Sequence, residues 1–133
     1  MLKHSEALAR TQVGTPYYVA PEVWRNRPYN SKCDMWSLGC LLYQLAALRV
    51  PFEGRSVAEL SRNIQVRTVK RIPARYSDDL WGVVRGLLRR AVSHRTTSRE
   101  LCPLLEAKTD ERVRTRTRTR TYTHAHAHAH AHA

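Results

Sequence analysis

From Met35 to Leu48 the chain reads MWSLGCLLYQLAAL, which is apolar on nearly every side when wound as a helix. A helix with apolar residues all round has no face to give to water and has to be buried on all sides. That requirement predicts a folded body built around this segment. Ser31, three residues before Asp34, gives the run an N-cap of capping-box type, and Pro51 stops it from behind. The most apolar stretch, around residues 38–50, is too short, and too interrupted by Gln44 and Arg49, to span a bilayer, which needs about 20 apolar residues.

Later helices announce themselves by their caps. Ser56-Val-Ala-Glu59 is a capping box opening a helix with Leu60 and Ile64 on one face. Ser77-Asp-Asp opens another through Leu80, Val83, Val84, Leu87 and Leu88, with Asp78 and Asp79 at its start and Arg89 and Arg90 near its end, as the helix dipole favours. A last capping box, Thr97-Ser-Arg-Glu100, precedes Leu101, Leu104 and Leu105. Pro103 lies beyond the first turn there and removes a backbone hydrogen bond, so that helix is expected to be short or bent. No stretch reads as a strand, and the expected fold class is mainly α.

Residues 1–29 show no sustained periodicity beyond a short turn around Ser5 to Arg10. Within them, VGTPYYVAPEVW at residues 13–24 reads as an ordered loop, because Gly14 permits positive φ while Pro16 and Pro21 each fix a φ and block a helix before them. Cys33, Cys40 and Cys102 are odd in number and lack C-x-x-C spacing, and no secretory signal precedes them. They are read as reduced thiols of a cytosolic protein, with no membrane partner.

The chain carries 23 Lys and Arg against 11 Asp and Glu. All the acids lie before residue 112, and five of the bases are the arginines from Arg112 to Arg120. From Arg112 the sequence is RVRTRTRTRTYTHAHAHAHAHA, which cannot bury enough apolar surface to offset its chain entropy, so residues 108–133 are expected to form a low-complexity, disordered tail. A DNA repeat of CGCACA encodes Arg-Thr in one frame and Ala-His in the next, which gives the tail a plain origin. Its alternating arginines could hold nucleic acid or acidic protein surfaces by charge alone, without specificity and with steep salt dependence. Its five histidines have no defined geometry or second shell, so no metal site is assigned.

The ordered set TQVGTPYYVAPEVW, YNSKCDMWSLGCLLYQL, VPFEG and IPARYSDDL resembles the NIMA-related (Nek) serine/threonine kinases over about residues 5–107. The resemblance implies the helical C-terminal lobe of the protein kinase fold. Residues 1–29 would be part of an activation segment with its APE motif, and residues 30–107 would be the lobe's helices. It also implies roles. Thr11 matches the activation-loop phosphosite, where a phosphate would pair with basic groups and order the loop; its other reading is an exposed loop hydroxyl. Thr15 matches the threonine facing the catalytic aspartate, and Gly14, Thr15, Pro16, Tyr17 and Tyr18 would line the pocket for the residue after the phosphoacceptor. Tyr17 and Tyr18 read equally as packing residues. Glu22 would pair with Arg95, and Asp34 would accept backbone hydrogen bonds from the catalytic loop, a role compatible with capping its own helix.

The chain departs from the family around Arg95, where AVSHRTTSREL has Ala91 and Thr96 in place of the family's acidic residue and proline. That bears on how the last helices are pinned. The glycine-rich loop, the strand lysine with its helix glutamate, the catalytic-loop aspartate and asparagine, and the DFG aspartate are all missing from the sequence. Met1 falls where the middle of the activation segment should be. The expectation is therefore a partial kinase domain that lacks the N-lobe and catalytic loop and has no catalytic residues or cofactor of its own. The intact family would use ATP and Mg2+ to phosphorylate protein Ser or Thr. The alternatives are a noncatalytic module that binds protein substrates or regulators, and a truncated gene-model or pseudogene product with exposed, aggregation-prone apolar surface. Family resemblance suggests a cytoplasmic location with cytoskeletal or ciliary association.

Overall fold

In the computed structural model the described residues are 16–111. They belong to two compact units, one ending at Thr97 and the other starting at Ser98. The first contains α1 (Pro21–Trp24), α2 (Lys32–Ala47), α3 (Val57–Val66), α4 (Asp78–Leu87) and a 3-10 turn at Val92–His94. Among the described residues there is no strand, in line with the mainly α expectation.

Proline sets the first of these elements. Pro21 occupies the first turn of α1, where its missing N–H costs nothing, and the element ends as Asn26 takes a left-handed φ of 51°, a conformation asparagine tolerates. The start of α2 corrects the sequence reading. Ser31 is already helical, with φ −55° and ψ −15°, and makes no side-chain cap. Asn30 does the capping instead, its Oδ1 accepting the Lys32 N–H at 2.9 Å. The capping box between Ser31 and Asp34 is therefore not formed, because a residue inside the first turn cannot aim its hydroxyl back at the open N–H groups. At the other end Leu48 adopts a left-handed φ of 57° and its N–H closes on the Gln44 carbonyl. Arg75 donates to the Ala46 carbonyl at 3.4 Å.

The caps of α3 and α4 form as read. Ser56 Oγ accepts the Glu59 N–H at 3.1 Å, and Glu59 reaches back to the Arg55 N–H at 2.8 Å. Ser77 Oγ accepts the Leu80 N–H at 3.3 Å. Arg85, not Arg89 or Arg90, is the basic residue in the last turn of α4, since that helix ends at Leu87.

One face of α2 forms the core. Trp36, Gly39, Cys40, Tyr43 and Ala46 are buried along it, together with Leu60, Ile64, Ile72 and Val84. Trp36 stacks on Phe52 with centroids 5.8 Å apart. Gly39 lets α4 come close, because a Cβ there would stand 2.8 Å from Leu87 Cβ and 3.0 Å from Leu88 Cδ2. The expectation of burial on every side fails on the other face. Leu41, Leu45 and Leu48 stay 47%, 64% and 81% exposed. These side chains recur at helical spacing, and the described residues supply no element to cover them.

The second unit's described part is a helix, α5, over residues 98–111. Of the two expectations at Pro103, short or bent, the first does not hold, since the helix runs past the residue-107 boundary. Pro103 is exposed, so the carbonyl that loses its partner can turn to water rather than break the helix. Leu104 and Leu105 are also exposed. No helix among the described residues is long and apolar enough to cross a membrane.

Candidate functional site

The strongest constellation among the described residues centres on Arg95, which follows the 3-10 turn and is 1% exposed. Its guanidinium grips the Glu22 carboxylate with both forks, Nη1 to Oε1 at 2.6 Å and Nη2 to Oε2 at 2.8 Å. Nη1 also donates to the Lys32 carbonyl at 2.8 Å, Nε to the Arg89 carbonyl at 2.8 Å, and Nη2 to the Arg90 carbonyl at 3.5 Å. All the donor capacity of a guanidinium is thereby used. The plane lies 5.2 Å from the centroid of the Trp36 ring, where a desolvated cation gains from the ring's negative face. One side chain thus joins α1, the start of α2 and the residues after α4.

Glu22 has the matching electrostatics. Burial pushes its carboxyl up, but hydrogen bonds from Arg95 and from its own backbone N–H, with the guanidinium's charge, outweigh that and hold it below the ordinary carboxylate value. The departure at Thr96 leaves this site closed. Its N–H donates to the Gly86 carbonyl at 3.2 Å, a tie that a proline could not make.

In front of α1 the loop from Pro16 to Val19 is fastened to α2. Ser37 Oγ donates to the Tyr18 carbonyl at 2.9 Å, and the Tyr18 hydroxyl donates to Gln44 Oε1. Tyr17 is half-buried against the core while Tyr18 stays exposed. Tyr17 thus packs, as one of its two readings had it, and Tyr18 faces solvent. Ser37 and Gln44, two turns apart, are the polar interruptions of an otherwise apolar run. Their spacing was the signal that something polar lies along that edge of α2.

Asp34 is exposed, and its carboxylate accepts a weak contact from the Cys33 thiol at 3.9 Å. It makes no side-chain hydrogen bond to backbone among the described residues, and sits in the first turn of α2, where the dipole favours a negative charge. Thr11, Gly14 and Thr15 lie outside the described residues. Lys32 is a contributor that the sequence did not single out: its Nζ donates to the Val92 carbonyl at 2.7 Å and to Ser93 at 3.2 Å. A lysine opening an apolar helix carries no periodic signature by which to find it. Among the described residues, no three His, Cys, Asp or Glu side chains come together to hold a metal ion.

The family model for the protein kinase domain matches residues 1–104. Mouse serine/threonine-protein kinase Nek3 is 48% identical over 101 residues, covering 76% of this chain and 20% of that protein. Human serine/threonine-protein kinase Nek2 is 45% identical over 101 residues, covering 76% of this chain and 23% of its own length. The G2-specific protein kinase fin1 of Schizosaccharomyces pombe is 41% identical over 88 residues, covering 66% of this chain and 12% of that protein. The chain thus spans about a fifth of the length of Nek3 and of Nek2.

Proposed function

The chain belongs to the protein kinase family, with Nek serine/threonine kinases among its relatives, and from that premise we propose that residues 16–111 are the helical, substrate-side lobe of a Nek-like kinase domain. The observation that carries this reading is the fastening of the Pro16–Val19 loop to α2 by Ser37 and Gln44, directly ahead of the buried Glu22–Arg95 pair. A surface meant to hold an extended peptide has to be rigid before the peptide arrives, or the ordering cost is taken from affinity. Pro16 and Tyr18 are its described members, with Gly14 and Thr15 leading into it and Tyr17 supporting it from below. Thr11, upstream, is the proposed phosphosite.

A kinase domain of this family uses ATP and Mg2+ and transfers the γ-phosphate to a protein serine or threonine. The residues described here do not fit either group: they offer no cluster of metal ligands, and the sequence lacks the glycine-rich loop, the paired lysine and the catalytic and DFG aspartates. No step is assigned to them. The proposed role of this chain is to bind protein substrates or regulators without phosphorylating them. The uncovered Leu41, Leu45 and Leu48 face suits a lobe that packs against further structure. Nonspecific binding of acidic surfaces or nucleic acid by the Arg-Thr tail, and a cytoplasmic site with cytoskeletal or ciliary association, belong to the same proposal.

The test is to incubate the purified chain with radiolabelled ATP, magnesium and a generic protein substrate. Incorporation at the level of the enzyme-free control is expected. Incorporation that disappears in Thr15→Ala would overturn the proposal.

A further inference from the structure

Where α4 ends, the surface opens into a cleft of about 600 Å³. Val69, Trp81 and Leu88 give it an apolar floor; Arg90 lines it from within the fold, the three basic residues Arg85, Arg89 and His94 line its rim, and no acidic residue lines it. All three basic residues are exposed, and neither the Arg85 nor the Arg89 guanidinium has a partner among the described residues. Their neighbour Arg90 shows what a structural arginine looks like here. Its Nε donates to the Ile64 carbonyl at 2.6 Å, its Nη2 to the Arg67 carbonyl, and its guanidinium lies 5.6 Å from the Phe52 centroid.

Interaction with the helix dipole accounts for one cation in the last turn of α4. It does not account for two unpaired guanidiniums and an imidazole around a half-buried tryptophan. Like charges held side by side at the surface repel one another, and an anion placed among them relieves that repulsion. The apolar floor adds a second requirement, because carboxylates alone would leave it unfilled. An arginine rim around an aromatic floor has the composition of a protein-recognition surface.

We propose that this cleft docks an acidic segment of a partner protein, with carboxylates against Arg85 and Arg89 and one aromatic or aliphatic side chain against Trp81. An open cleft of this size suits an extended peptide. The site is separate from the Pro16–Val19 loop, and it requires neither phosphoryl transfer nor the reading of that loop as a substrate platform.

The test uses the full chain and a short fluorescent peptide of glutamates around one phenylalanine, measured by anisotropy at about 0.15 M salt. Three variants separate the sources of binding. One carries Arg85→Gln with Arg89→Gln, one carries Arg85→Lys with Arg89→Lys, and one replaces Arg112, Arg114, Arg116, Arg118 and Arg120 with Gln. The glutamine pair is expected to weaken binding about tenfold, and the lysine pair and tail variant to stay within about threefold of the parent. Exchanging the peptide's phenylalanine for serine should also weaken it several-fold. The proposal is overturned if the tail variant loses the binding and the glutamine pair keeps it. It is equally overturned if the serine peptide binds as well as the phenylalanine peptide, or if a thymidine oligonucleotide binds as tightly and is lost with the same pair. Matching thermal unfolding of parent and variants is expected, since both arginines are exposed and unpaired; should the glutamine pair unfold early, the folded single variants Arg85→Gln and Arg89→Gln decide, a several-fold loss in each supporting the cleft and unchanged binding in both overturning it.

Discussion

Replacing Arg95 with alanine is the sharpest single perturbation of this molecule. The substitution removes a cation that is 1% exposed and leaves its partner, Glu22, 5% exposed with no countercharge. It also strips donors from the carbonyls of Lys32, Arg89 and Arg90 and vacates the space beside Trp36. Deleting one partner of a buried pair costs about 3–5 kcal/mol, because the survivor must be desolvated unpaired or protonated. A domain of this size has about 5–15 kcal/mol in all, so the variant is left marginal. At about 4–8 °C per kcal/mol the melting temperature should fall by at least about 12 °C. Urea unfolding followed by tryptophan fluorescence reads the change directly, since Trp36 lies beneath the guanidinium. Arg95→Met combined with Glu22→Met should cost less than the sum of the two single changes by about 1 kcal/mol or more, because the double variant strands no charge. A loss below about 0.5 kcal/mol in Arg95→Ala, or strict additivity in the cycle, would refute the reasoning.

Three further outcomes are expected. Stability should fall in acid through Glu22: its folded carboxyl titrates below the unfolded value of about 4.5, so its contribution is complete above that pH and is lost as pH drops through the folded value, and Glu22→Gln should flatten that part of a pH-dependent melting series. Gly39→Ala should destabilise by about 1–3 kcal/mol in a urea titration, because the new methyl group meets Leu87 Cβ, which is fixed to its backbone. In native-state alkylation, exposed Cys102 should react first, while Cys40, fully buried and with its thiol pushed up to about 12 by burial, should react only on unfolding.

The helix starts at Ser56 and Ser77 are legible from local chemistry, because capping depends on residues only a few positions apart. The start of α2 is not, because Asn30 and Ser31 are both good caps and only backbone geometry decides between them. The all-round burial predicted for α2 failed for another reason. Hydrophobicity says that a side chain would gain from cover, not that the cover is supplied, and Leu45 and Leu48 have none among the described residues. Pro103 illustrates the same gap, since its cost depends on whether water can reach the freed carbonyl. The Glu22–Arg95 contact came from family resemblance; no periodicity links residues so far apart. The carbonyls that complete the Arg95 site, at Lys32, Arg89 and Arg90, carry no sequence signal, because every residue has one.

The most direct test of the account is whether the chain competes for substrate. An intact Nek kinase should be assayed on a protein substrate with increasing amounts of this chain. The account predicts a rise in apparent KM at unchanged kcat, and loss of that effect in a variant carrying Tyr18→Ala and Ser37→Ala, which releases the loop from α2. An unchanged KM, or a fall in kcat that the loop variant shares, would contradict it.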